Sequence, residues 1–181
     1  MSSKINVKVM VEVALVTALL CILCPWQIPL AFSPVPISLA VFAVMIGVYA
    51  IGWKLGTLAC LLYILLGLVG VPVFAGFSAG LPKLAGPTGG YILGYLLVAI
   101  VTGLAVEKFE NKIWVHIIGM VLGVALCYVL GTIWFLQVME EQTLASALSM
   151  CVIPFIPADA VKIVVAAIVG PIIRRQLKRI Q

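Results

Sequence analysis

The chain has 181 residues, of which 65% are hydrophobic and 9% charged, and its mean hydropathy is +1.30. A soluble domain must cover itself with polar groups, so this composition excludes soluble folds and leaves an integral membrane protein. The formal net charge of +5 would point to nucleic acid in a soluble chain; here the basic residues sort along the sequence as topology signals, and no nucleic-acid partner is expected.

A spanning helix takes about 20 apolar residues, so the length allows roughly six with short loops. The expected fold is a single all-α membrane domain over residues 1–181. Lys4 and Lys8 precede an apolar run from Val9 to Cys24. It has the outline of a signal peptide, but no A-x-A-type cleavage site follows, so it reads as the first span. The further spans are expected at Pro36–Ile51, Leu55–Gly70, Gly90–Val106, Ile113–Phe135 and Pro157–Ile173.

Basic residues orient the set. Lys4, Lys8, Lys54, Lys108, Lys112, Arg174, Arg175, Lys178 and Arg179 all fall on one side if six spans leave both termini in the cytoplasm. Only Lys83 and Lys162 fall on the outer side, and both need another reason. Trp53 and Trp114 are expected at the inner interface, and Trp26 and Trp134 at the outer. The inner loops, Gly52–Lys54 and Glu107–Lys112, are short. The outer ones are long: "PWQIPLAFSPV", "VPVFAGFSAGLPKLAGPTGG" and "LQVMEEQTLASALSMCVIPFI". Long loops rich in Gly and Pro on one face usually carry function, so the site is expected there, under loops that cap a substrate cavity.

In the second outer loop, Gly76, Gly80, Gly86, Gly89 and Gly90 allow close backbone approach to a ligand, and Phe74 and Phe77 can lie over it. Thr88 and the amides of Gly89 and Gly90 stand at a helix N-terminus, which favours an anion or a carbonyl oxygen. The bland alternative is a lid that seals the bundle. "PFIPADAVKIVVAAIVG" puts Asp159 and Lys162 on one face of the last span. One account is a carboxylate on the helix dipole and a snorkelling lysine. The other is a ligand site, since residues i and i+3 share a face and intramembrane ionisable pairs usually mark substrate pathways.

Catalysis has no support. No Ser–His, Cys–His or paired-carboxylate constellation is evident. "GVYAIGWK" is a poor P-loop, because a Trp displaces the Lys and no Ser or Thr follows. His116 has no second histidine, and Cys21 and Cys24, a C-x-x-C within a span, read as packed or lipid-facing thiols, so no metal site is expected.

"GVPVFAGFSAG", "GPTGGYILGY", "YVLGTIW" and "PFIPADAVK" together resemble the BioY family over about Glu12 to Arg175. These are biotin-binding S components of energy-coupling factor (ECF) transporters, bacterial vitamin importers. The resemblance implies a multi-pass protein of the bacterial cell membrane that captures biotin with high affinity and without chemistry or a cofactor. Its implied partners are a membrane coupling protein and two ATP-binding-cassette ATPases. Asp159 suits the ureido N–H groups, and Lys162 suits either the ureido carbonyl or the carboxylate. Phe74 and Tyr91 can pack on the rings, with Gln27, Ser78 and Tyr128 as further polar contacts. Ala14-x-x-x-Ala18 in span one is a small-xxx-small pattern and resembles the alanine motif by which such subunits dock on the coupling protein. The competing readings are an S component for another vitamin, a stand-alone secondary transporter, and a structural membrane protein whose outer charges are only caps.

Overall fold

The computed structural model describes residues 7–110 and 112–180; Lys4 lies outside them. The helix α1 (Val7–Leu23) is followed by strands β1 (Gln27–Leu30) and β2 (Ser33–Ser38), then helices α2 (Ala40–Leu68), α3 (Leu81–Ala85), α4 (Gly89–Lys108), α5 (Ile113–Val138), α6 (Leu144–Cys151) and α7 (Phe155–Ile180). Among the described residues, four helices are long and apolar enough to cross a membrane: Ala40–Leu68, Gly89–Lys108, Ile113–Val138 and Phe155–Arg179. A lipid-exposed segment must satisfy its own backbone groups, and helices do so internally.

The expectation of an all-α chain needs correction. The segment read as the first loop forms a two-stranded antiparallel hairpin, pairing Gln27 with Ser38, Ile28 with Ile37 and Leu30 with Ser33. The register slips between Ile28 and Leu30, where Pro29 has no N–H to give the ladder. The Ser33 hydroxyl accepts the Val35 amide at 3.1 Å and steadies the entry to β2. The second and third loops also contain short helices, α3 and α6; Thr143 caps α6 by accepting the Ser146 amide at 3.2 Å.

α2 is two helical pieces joined at Gly52, whose φ of 82° and ψ of 175° are non-helical and suit only glycine. The break falls within the turn expected at Gly52–Lys54. The Trp53 amide freed there donates to Glu107 Oε2 at 3.2 Å, so the end of α4 caps the second piece.

Helix α4 packs on α2 and α5, and α7 on α2. Small residues set the α4–α5 spacing. A Cβ on Gly94 would meet Cys127 Sγ at 2.6 Å, and one on Gly119 would meet the Ala105 Cβ at 2.4 Å. Tyr49, Tyr63, Phe74, Phe135 and Met120 fill the centre, while Leu65, Leu122, Val129, Val161 and Ile168 stay exposed outside. An apolar exterior around a packed centre is the arrangement a bilayer requires.

At the end of the bundle away from the hairpin, Glu110 accepts Arg174 Nη2 at 2.8 Å and Lys178 Nζ at 2.6 Å. His116 is buried beside them. Its Nε2 lies 3.0 Å from the Phe109 carbonyl and so carries the proton; its Nδ1, 3.2 Å from the Tyr49 hydroxyl, accepts. Both ring nitrogens are thus used in packing. Among the described residues no group of three His, Cys, Asp or Glu could hold a metal ion.

Candidate functional site

Asp159 and Lys162 sit one helical turn apart near the start of α7, facing the bundle. Lys162 Nζ is 2.7 Å from Asp159 Oδ1, and the Lys162 and Asp159 side chains are 11% and 6% exposed, respectively. The hydroxyl of Tyr128 on α5 donates to Asp159 Oδ2. Asp159 is therefore held by two side chains rather than by helix-end amides, and Lys162 does not snorkel. The cap-and-snorkel account does not describe this geometry. α7 starts two residues before the expected Pro157, which places Asp159 beyond the first turn, where the helix dipole has faded.

The trio forms one end of a cleft beneath β2. A cavity of about 40 Å³ is lined by Asp159, Lys162, Tyr128, Tyr91, Tyr95 and Phe155, with Pro36 and Ser38 of β2 above. A second cavity of about 20 Å³ adjoins it, sharing Val35, Pro36, Ser38, Tyr91 and Tyr95, and adds Lys83, Thr88 and Tyr63. Each has room for no more than a few waters. Outside the hairpin, a groove of about 290 Å³ is lined by Trp26, Gln27, Ile28, Ile37, Leu39 and Lys162. Lys162 thus borders both the closed cleft and the open groove. A larger space, about 330 Å³, is at the opposite end among Glu12, Glu107, Glu110, Arg174 and Lys178. It is a notch in a charged surface, whereas the cleft encloses its charges among aromatic rings.

The expected residues separate into two groups. Asp159, Lys162, Tyr128 and Tyr91 come together around the cleft. Tyr91 offers its ring, since its hydroxyl lies 3.3 Å from Thr132 Oγ1 and 3.5 Å from the Cys151 carbonyl. Gln27 lies in the outer groove, with its amide against Gly76. Phe74 is fully buried and packs edge-on to Tyr63 with ring centroids 5.7 Å apart. Ser78 closes its own turn by donating to the Ala75 carbonyl at 2.8 Å. Gly89 and Gly90 lie where α4 meets the loop and α5: a Cβ on Gly89 would be 1.7 Å from the Leu84 carbonyl oxygen, and one on Gly90 2.3 Å from the Trp134 Cβ. The Gly89 amide is already donated to Gly86 at 3.0 Å. Trp134, read as an interface anchor, donates its indole N–H to the Gly86 carbonyl at 3.1 Å and ties the loop to α5.

Tyr95 and the β2 residues Pro36 and Ser38 were not among the expected contacts. Tyr95 is one turn after Tyr91, and i, i+4 spacing on a helix was the available signal. Nothing in the sequence marks β2 as the roof.

A helical membrane bundle with a charged, aromatic-lined cleft beneath surface loops is a small-solute-binding membrane protein by architecture. The family model "BioY family" matches residues 1–179, and the chain belongs to the BioY family. It is 40% identical over 161 residues to a "Biotin transporter BioY" of Thermotoga maritima, covering 89% of this chain and 92% of the relative. It is 36% identical over 144 residues to a "Probable biotin transporter BioY" of Pyrococcus horikoshii, covering 80% and 83%. A solved structure of "the S-component for biotin from an ECF-type ABC transporter" matches with a TM-score of 0.85 and 29% identity, over 97% of this chain and 95% of that one.

Proposed function

We propose that this chain is the high-affinity biotin-capturing subunit of an ECF-type importer, working with a membrane coupling protein and two cytoplasmic ATPases. The observation that carries the reading is the Asp159–Lys162–Tyr128 group in the wall of a cleft roofed by the hairpin. An ionised carboxylate offers about four lone-pair sites and an ammonium three donors, so after their mutual contacts both retain capacity for a ligand. The ureido group of biotin, two N–H donors flanking a carbonyl, matches that remainder. Tyr91 and Tyr95 supply apolar faces for the rings. Phe74, Ser78, Gly89 and Gly90 act at one remove, by shaping the loop and the α4 start beneath it, and Gln27 acts at the groove. The capture is binding without catalysis.

The bundle crosses the bacterial cell membrane six times in this reading, through α1, the two pieces of α2, α4, α5 and α7. Lys54 beside the α2 break, Lys108, Lys112 and the basic end of α7 then share the cytoplasmic face with both termini. The hairpin and long loops face outward. Ala14 and Ala18 support a docking surface for the coupling protein: both are exposed on α1, opposite its buried face of Val13, Val16, Thr17 and Leu20.

Labelled biotin and the purified chain in lipid nanodiscs provide the test. Saturable binding, displaced by unlabelled biotin and not by thiamine or riboflavin, is expected. Binding of another vitamin in its place overturns the substrate; no saturable binding of any overturns the reading.

A further inference from the structure

Lys83 is the second basic residue that the charge pattern leaves on the outer side, and the Asp159–Lys162 pair does not account for it. It lies on α3, half-buried, in the wall of the smaller cavity with Thr88, Tyr63 and Tyr95. Among the described residues its ammonium has no ion pair or hydrogen bond. Burial alone holds its pKa below the ordinary lysine value, so a counter-anion arriving there would restore the charged form. Thr88, in the same wall, is 6% exposed, and its buried hydroxyl has no partner. A buried hydroxyl without a partner is costly unless something else completes it. Thr88 is also the N-cap of α4, a helix of 20 residues, whose dipole favours negative charge at that end. An uncommitted ammonium and an uncommitted hydroxyl therefore line one side of the cleft at the positive end of a helix, and both suit an anion.

The far side has the opposite character. Asp159 and Lys162 neutralise one another at 2.7 Å, and a ligand carboxylate against Lys162 would also stand against the Asp159 carboxylate. Like charges at such range disfavour one another, while a neutral group with both donors and an acceptor suits the pair. We infer that Lys83 and Thr88 form a carboxylate subsite that takes the acidic tail of the ligand, leaving Asp159 and Lys162 to its neutral ring end. The inference rests on the biotin reading and fixes the direction in which the ligand lies under β2.

The test compares biotin with biotinamide, its uncharged amide, by calorimetry on the purified chain. Wild type should prefer biotin by about tenfold or more, the worth of a charge-assisted contact. Lys83→Met should bring biotin down to the level of the amide while changing amide binding less than about threefold. Lys83→Arg should keep the preference. Thr88→Val should shrink it severalfold, and Lys162→Ala should weaken both ligands alike. A preference that survives Lys83→Met, or is lost in Lys162→Ala instead, overturns the subsite. If Lys83→Met misfolds, Thr88→Val decides, and an unchanged biotin-to-amide ratio there sinks the proposal. A wild-type chain that binds neither compound refutes the biotin reading itself, an outcome distinct from equal binding of both, which refutes only the subsite.

Discussion

Asp159 and Lys162 hold one another with both side chains nearly buried, so the loss of either leaves the other without its counter-charge, which costs more than an ordinary hydrogen bond. Lys162→Ala and Asp159→Asn are each expected to weaken biotin binding at least about tenfold, measured on protein that still inserts and purifies as one species. The carboxamide of the Asp159→Asn variant keeps an acceptor for Tyr128, so its loss of affinity reports the charge; unchanged affinity in both variants would remove the pair from the site. The pair was legible in the sequence as two charges three residues apart inside an apolar run, a pattern that left a helix-end cap with a snorkelling lysine and a ligand site as open alternatives. Lys83 was legible only as an anomaly. Its relation to Thr88 and Tyr95 depends on how α3 folds back over the start of α4, and no local spacing encodes that. Phe74 shows the reverse case: an aromatic in a glycine-rich loop reads as a ligand platform, yet the ring is spent on Tyr63 and on Gly67, where a Cβ would lie 2.1 Å from it.

Among the elements, the long helices were readable from apolar length, the short α3 and α6 inside the loops were not, and the turn at Gly52–Lys54 was readable from its Gly, Trp and Lys. The hairpin was not. Pro29, Pro34 and Pro36 interrupt any alternation and argue against a ladder, and a two-stranded ribbon tolerates them only because it is all edge. The turn between α4 and α5 gives a prediction of its own. Hydrogen bonds from Lys178 and Arg174 hold the Glu110 carboxyl at a pKa of about 2, below its ordinary 4.5. A depressed carboxylate contributes stability that is present above the unfolded value and lost as pH falls through the folded one. Glu110 is 44% exposed, so solvent screening limits the contribution to at most about 1 kcal/mol. Glu110→Gln should lower the thermal midpoint slightly at pH 7, and the gap from wild type should close as pH falls from about 4.5 to about 2. A gap that persists at the acid end would mean that Glu110 acts through packing.

For the whole molecule, the proposed capture site and the proposed docking face occupy different surfaces. The cleft is bounded by β2, α4, α5 and α7, while Ala14 and Ala18 are on the exposed side of α1. Ala14→Trp with Ala18→Trp should leave biotin binding to the isolated subunit nearly unchanged. ATP-dependent uptake with the coupling protein and ATPases should be abolished, and co-purification with them should fall. Collapse of binding would make α1 an internal packing helix, and persistent uptake would put the docking face elsewhere. The roof has a consequence for timing. A lone two-stranded ribbon is marginal by itself, and its strand β2 covers spaces of only about 40 and 20 Å³. Spaces of that size do not admit a bicyclic solute, so on the proposed reading loading requires the roof to lift and retention requires it to fall. The tempo of loading would then belong to the protein and not to the solute, and a looser latch would load faster and leak sooner.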